Sequence, residues 1–237
     1  MNVLGLIHGD EARSAVFGKI VEERGHRIEE WSLAWGTPMP RPLDDYDAVL
    51  VFGGAMHADQ DHRHPWLREE NLFLQRLIDL HIPVLGVCLG AQLLAKAAHA
   101  PVEPARAPEI GWVRVELTEA AADDPLFARL PHRFHAFQWH YYAHGVPAGG
   151  RELARSEICT QAFRLGERVW GVQFHPEVTA EQIERWIADE DGALPVAGAA
   201  LVAETRERIA EWNALGRTLC GAFLEVAERV RAPGPER

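Results

Sequence analysis

The sequence predicts an α/β protein, a mostly parallel central sheet with helices on both faces and antiparallel strands added to it. Three observations carry that reading. Through the first hundred residues, short apolar runs alternate with helix-length amphipathic segments, and repeated units of this size build a parallel sheet covered on both sides. From Trp112 to Phe174 the rhythm changes to short alternating runs joined by turns, the pattern of antiparallel additions. A chain of 237 residues, 47% hydrophobic and 25% charged, can bury a full core and fits one large domain better than two.

Taken in order, Val3 to Ile7 reads as the first strand and Glu11 to Arg24 as a helix. His26 to Trp31 reads as extended. Ala48 to Phe52 is a buried strand that ends in Gly53-Gly54. Pro65 sits where a first helical turn tolerates proline, and Leu67, Phe73, Leu74, Leu77 and Ile78 give a helix to Leu80 one apolar face. The strand Pro83 to Val87 and a helix from Leu89 to about His99 follow. Beyond them, Trp112–Leu117, Phe134–Phe137, Glu152–Ser156, Gln161–Leu165 and Arg168–Phe174 read as strands. Thr179 is an N-cap for a helix to about Asp189. Asp191 to Pro195 is a loop, and a helix runs from about Ala199 to Val230, with Gly216 as a point of interruption. Pro233-Gly234-Pro235 reads as a frayed tail. The division is therefore a domain over residues 1–190 and a helical extension over 191–237 packed on the same domain.

Formal charge is −11, which argues against nucleic acid, since phosphate binding needs a basic face. The three cysteines, Cys88, Cys159 and Cys220, form neither a disulfide framework nor a Cys-x-x-Cys metal pair. The N-terminus has no basic segment ahead of its short apolar run, and no apolar stretch reaches membrane-spanning length. These readings point to a cytoplasmic protein with no membrane partner. His57, His62 and His64 share one loop with Asp59 and Asp61, but their spacing matches no standard zinc pattern, so no metal and no cofactor are expected. Trp31, Trp35 and Trp66 are read as core or pocket wall.

Two runs carry the chemistry. Gly86-Val87-Cys88-Leu89-Gly90 stands directly behind the apolar run Ile82–Leu85, the strand–elbow–helix context that lifts a nucleophile out of a sheet. Gln173-Phe174-His175-Pro176-Glu177 ends another apolar run. Side chains two apart on an extended segment share a side, so Glu177 can orient the His175 imidazole. A cysteine, a base and an orienting acid are the parts of nucleophilic acyl transfer. A free thiol with pKa near ~8.5 is only slightly ionised at neutral pH. Lowering that to ~7 needs about 2 kcal/mol. A helix N-terminus gives roughly 0.3–1 kcal/mol, and a His175 imidazolium covers the rest. The Leu89 N–H faces the developing oxyanion at such an elbow. A second donor comes from Gly53-Gly54, because a ligand crevice opens outside the carboxyl ends of parallel strands.

Gly86–Gln92 together with Gly171–Glu177 closely resembles the class I, triad-type glutamine amidotransferases. The likeness runs from the N-terminus to about residue 190. Gly53-Gly54-Ala55-Met56, Pro65-Trp66-Leu67 and Gly111-Trp112 make it most like the stand-alone branch related to the glutaminase domain of GMP synthetase. The resemblance implies a flavodoxin-like three-layer sandwich and a γ-glutamyl thioester formed on Cys88, with the amides of Gly54 and Leu89 holding the oxyanion. His175 would serve as proton carrier and Glu177 as its orienter. Gln92 matches the family position that contacts glutamine, and Gly53 lies beside it in the substrate-binding set. The segment Gln138-Trp139-His140-Tyr141-Tyr142 lies where the family meets the α-amino and α-carboxylate end of the substrate, which adds Trp139, His140 and Tyr141 to that set. Relatives often carry a small residue where Tyr141 stands, and its bulk leaves open a γ-glutamyl peptide or conjugate instead of free glutamine.

The chain has no Gly-x-x-x-x-Gly-Lys-[Ser/Thr] loop, so ammonia delivery would require a separate synthetase or acceptor subunit. The stripe Leu201, Ile209, Trp212, Leu215, Leu219 and Phe223 serves either as a docking face for one or as packing on the chain's own sheet. A binding or regulatory module without turnover is the third alternative; intact Cys88, His175 and Glu177 weigh against it. The related Cys-elbow hydrolases and chaperones place a histidine soon after the cysteine, where this chain has Ala91-Gln92.

Overall fold

Nine strands make one mixed sheet in the computed structural model, which describes residues 1–190 and 194–231. They are β1 (Asn2–Leu6), β2 (Arg27–Trp31), β3 (Ala48–Val51), β4 (Val84–Val87), β5 (Val102–Leu117), β6 (Arg133–His144), β7 (Arg151–Arg155), β8 (Thr160–Leu165) and β9 (Val169–Val172). The spatial order is β2-β1-β3-β4-β9-β8-β7-β5-β6. The first five in that order are parallel and the remaining pairings antiparallel. Strands β3, β4 and β9 are buried at every position, as continuous apolar runs in a doubly covered sheet must be.

The helices are α1 (Ala15–Glu23), α2 (Trp66–Asp79), α3 (Leu89–Ala97), α4 (Ala180–Asp189) and α5 (Gly198–Arg231). Strand alternation divides the interior into two cores. Val3, Leu50, Phe52 and Val87 meet Phe17 of α1 and Trp212 and Phe223 of α5 on one face. On the other face Leu4, Leu6, Val49 and Val84 meet Leu67 and Leu74 of α2 and Leu93 of α3. The result is the three-layer sandwich that the sequence predicts.

Several boundaries differ from the sequence reading. The first helix starts at Ala15 rather than Glu11. Ser14 donates from backbone and hydroxyl to Glu30 Oε1, and the Glu11 carbonyl accepts from the Trp186 indole; these tethers hold residues 9–13 as a loop. The run Phe134–Phe137 lies near the start of a twelve-residue strand that continues to His144, so residues 138–142 lie on β6. Its partner β5 is sixteen residues long, with an irregular register between Pro104 and Glu109. Gly216 does not interrupt α5. The α5 stripe packs inward, with Leu201, Trp212, Leu219 and Phe223 all buried. Trp35 is 48% exposed rather than core or pocket wall. Thr179 caps α4 through a full capping box with Gln182. The tail Pro233-Gly234-Pro235 and residues 191–193 of the loop lie outside the described residues.

His144 closes β6 with its ring edge against Phe163, centroids 5.0 Å apart. Burial pushes its pKa down from 6.5 to about 4. The folded state thus holds a neutral imidazole while the unfolded chain takes up a proton below pH 6.5. The associated stability is complete above 6.5 and is lost as pH falls to about 4, a swing of about 3 kcal/mol. His144→Gln is expected to flatten the pH dependence of Tm between pH 7 and 5, measured by thermal melts across that window.

Candidate active site

The strand order reverses between β1 and β3, and ligands bind outside the carboxyl ends of strands at such a switch point. Four segments leave strand ends there: residues 9–13 after β1, Gly53-Gly54 after β3, Cys88 after β4 and His175 after β9. They surround a cavity of about 370 Å³ lined by Glu11, Ala12, Gly54, Ala55, Cys88, Trp139, His175, Trp186, Asp189 and Glu190.

Cys88 is the residue between β4 and α3 and adopts φ 52°, ψ −109°. A left-handed φ on a non-glycine residue costs of order 1–3 kcal/mol and persists only where its surroundings over-determine it. Here the Cys88 N–H donates to Val172 O at 2.8 Å, and its carbonyl accepts from Gln92 at 3.0 Å. The turn also brings α3 close to β3, and a Cβ on Gly90 would stand 2.1 Å from the Val51 carbonyl oxygen. Only glycine fits that approach. Leu89 opens α3, so its N–H has no acceptor within the helix.

His175 and Glu177 are both buried, and His175 Nδ1 lies 2.8 Å from Glu177 Oε1. Among the described residues, His175 Nε2 has no hydrogen-bond partner. A Cβ built on Gly53 would lie 3.0 Å from His175 Cε1 and 3.6 Å from Cys88 Cβ. The cysteine and histidine side chains therefore meet beside the Gly53 backbone. Burial alone would lower the His175 pKa, but the neighbouring Cys88 and Glu177 charges and the Glu177 hydrogen bond overcome it and raise the value to about 10. The Trp186 ring stands edge-on to the imidazole, centroids 5.0 Å apart. From behind, the Trp212 indole donates to the His175 carbonyl at 2.8 Å, and the Asn213 amide donates to Val178 O at 2.8 Å.

The remaining sequence-predicted residues divide. Gly54 and Trp139 line the cavity, and Gly53 lies against the two side chains above. Gln92 is buried and turned inward; its amide nitrogen donates to Tyr142 O at 2.9 Å and contacts Gln173 Oε1 at 3.2 Å. His140 is buried on the opposite side of β6, facing Tyr142 O and Glu109. Tyr141 is 39% exposed and close enough to Glu190 for that charge, with burial, to raise its pKa. Neither Gln92, His140 nor Tyr141 is part of the cavity lining.

Sequence reasoning missed Glu11, Trp186, Asp189 and Glu190. It also missed the buried His8, whose Nδ1 lies 3.0 Å from Gly53 O and Nε2 2.8 Å from Glu70 Oε1. That bridge fixes the Gly53-Gly54 loop. The signal available was a histidine directly after β1 and a buried glutamate on an otherwise apolar helix face.

A class-I glutamine amidotransferase family model matches residues 20–190, and the chain belongs to that family. It is 29% identical over 218 residues to a glutamine amidotransferase-like protein, YfeJ, of Salmonella typhimurium, covering 90% of this chain and 91% of that one. It is 36% identical over 157 residues to a glutamine-hydrolysing GMP synthase subunit of Methanothrix thermoacetophila, covering 64% and 77% of the two chains. Among solved structures, a glutamine amidotransferase from Thermotoga maritima superposes with TM-score 0.87 at 28% identity, over 95% of this chain and 98% of that one.

Proposed function

We propose that this chain hydrolyses the side-chain amide of glutamine through a thioester on Cys88, with His175 and Glu177 completing the triad. The observation that carries the reading is that a strained cysteine and a buried His–Glu pair open into one cavity at the switch point. The Cys88 thiolate attacks the carboxamide carbon, and the resulting oxyanion is held by the N–H groups of Gly54 and Leu89. His175 gives its Nε2 proton to the departing ammonia, and the C–N bond breaks as the thioester forms. A water then loses a proton to His175 and attacks the thioester, which returns glutamate and the free thiol. Glu11, Asp189 and Glu190 place negative charge at the cavity wall, which suits the α-ammonium of a glutamyl group. Such a free thiol belongs to a reducing compartment, the cytoplasm.

One feature of this reading rests on the relatives. Several are subunits of GMP synthase, so ammonia would pass to a separate synthetase or acceptor subunit. The second reading, hydrolysis of a γ-glutamyl peptide or conjugate, is favoured by the outer wall. Asp189 is exposed there, and half-buried Glu190 stands beside the 39% exposed Tyr141, so the acidic wall reaches solvent and can meet a group larger than free glutamine. The deciding experiment measures glutamate release from free glutamine and from a panel of γ-glutamyl peptides and amines. Release from none of them would overturn the enzymatic reading and leave a binding module.

The triad also predicts a pH signature. The imidazolium that protonates ammonia is lost as pH rises through the raised His175 pKa, so the alkaline limb of kcat/KM should fall near pH 10. Glu177→Gln keeps an acceptor for the imidazole but removes the charge that helps raise this pKa. The alkaline limb is expected to move down by about 1–2 pH units, with kcat lower by roughly 10²–10⁴-fold. A pH–rate profile of the variant checks both.

A further inference from the structure

We propose that Glu109, His140 and Cys159 form a binding site for a zinc-class divalent cation, separate from the cavity that holds Cys88. The three come from different parts of the sheet. Glu109 and His140 are register partners on β5 and β6, just past the irregularity in their pairing. Cys159 ends the turn that leads into β8. One donor atom from each lies within 4.8 Å of the others. A thiol, an imidazole and a carboxylate together suit zinc better than magnesium or calcium.

The hydrogen bonding around the cluster prepares it for a cation. His140 Nδ1 lies 2.9 Å from the Tyr142 carbonyl, an acceptor, so Nδ1 carries the hydrogen. Nε2 then faces Glu109 Oε2 at 3.1 Å, yet it has no aligned hydrogen-bond partner among the described residues. Glu109 Oε1 is also buried without a partner among the described residues, while Oε2 is the atom that faces Nε2 and Cys159 Sγ. An orphaned ring nitrogen on a side chain only 3% exposed is costly unless something satisfies it. A backbone carbonyl on one ring nitrogen, with the other left for the metal, is how ligating histidines are usually held.

Two of the three ligand separations match tetrahedral zinc, and the third, His140 to Cys159, is within 4.8 Å. Bond lengths of about 2.0 Å to nitrogen and oxygen and about 2.3 Å to sulfur give edges of about 3.3 Å (N to O) and about 3.5 Å (S to O). The corresponding separations are 3.1 Å for His140 to Glu109 and 3.4 Å for Cys159 Sγ to Glu109 Oε2. Outside the ligands, the Gln161 amide nitrogen lies 2.8 Å from Glu109 Oε2 and 3.4 Å from Cys159 Sγ. The Gln161 carbonyl is occupied by Gln138 Nε2, which keeps the donor end toward the two anionic ligands. An open cleft lined by Glu109, Ser156, Glu157 and Ile158 reaches the cluster from outside and admits a water as fourth ligand.

On binding, the Cys159 S–H bond breaks, its proton leaves to solvent and the sulfur lone pair forms the bond to the metal. One thiolate and one carboxylate then neutralise the dication. The site would clamp β5, β6 and the turn before β8 together. Strand β6 is also the one whose Trp139 carbonyl lies 3.8 Å from Cys88 Sγ and whose Tyr142 carbonyl receives Gln92.

The test is titration of the metal-stripped full chain with Co²⁺ followed by Zn²⁺ competition. One equivalent of cobalt should produce a thiolate-to-metal charge-transfer band that zinc abolishes. Cys159→Ala should remove the band, and Cys159→Ser, which keeps the side-chain volume and guards against misfolding, should do the same. Cys88→Ala should leave the band unchanged, although that variant ends amide hydrolysis, so metal binding and hydrolysis fail independently. Gln161→Ala should weaken zinc binding by about 10–100-fold. No band at one equivalent, or a band that survives in Cys159→Ala or disappears in Cys88→Ala, would overturn the proposal.

Discussion

Cys88→Ala is expected to reduce glutamate release by about 10⁴–10⁶-fold, the range seen when a covalent nucleophile is removed from a working triad. The residual rate should match what the oxyanion donors and binding alone provide to water attack. Folding should survive the change. Cys88 borders a cavity, so loss of one sulfur leaves space already open to solvent, and the turn is held through its backbone bonds to Val172 and Gln92. A melting temperature close to the parent, together with lost turnover, separates chemistry from structure. Two controls sharpen the result. A thiol-directed glutamine analogue should label the parent and not the variant, read by intact mass. Cys220→Ala should keep full turnover, since that thiol is completely buried in α5 and burial drives its pKa far up. Full hydrolysis by Cys88→Ala would end the thioester mechanism.

The positions of Cys88, His175 and Gly53-Gly54 were legible because parallel strands deliver their carboxyl ends to one rim. Knowing which runs are strands is then enough to know which loops meet. The cavity wall was not legible in this way. Glu11 and Trp186 are 175 residues apart in the chain, and their contact is what turns residues 9–13 into a wall rather than a first helical turn. Local propensity holds no record of such a tether. The same limit explains β6. Gln138 and His140 are polar residues in a strand interior, which reads as the end of a run, yet both are buried against Gln161 and Glu109 from other strands. Gln92 stood at the family's substrate position by motif, and the structure turns it onto the β6 backbone. Motif position and side-chain direction are separate questions.

Gly216→Ala carries the second large expected effect, and it arises where the sequence alone pointed to an interrupted helix. Alanine in place of glycine in a helix interior would ordinarily stabilise by about 0.8–1 kcal/mol. At this position an added Cβ would stand 2.1 Å from the Pro176 carbonyl oxygen, far inside any tolerable contact and against backbone rather than a side chain that can move. Overpacking of this kind costs typically 1–3 kcal/mol, which outweighs the propensity gain. The strain can be relieved only by moving α5 away from residues 175–178. Those residues are held to α5 by the Trp212 indole on the His175 carbonyl and the Asn213 amide on Val178. A shift therefore displaces His175 relative to Cys88, and a misplacement near 1 Å costs on the order of 10²-fold in rate. The variant is expected to melt several degrees below the parent, with kcat falling much more than KM rises. Ala214→Gly, two residues away on the same helix, lowers helix propensity without adding a contact and should cost stability while sparing kcat. If Gly216→Ala instead melted higher with unchanged turnover, propensity would have won, and the close seating of α5 on the His175-Pro176-Glu177 segment would not be what holds the imidazole in place.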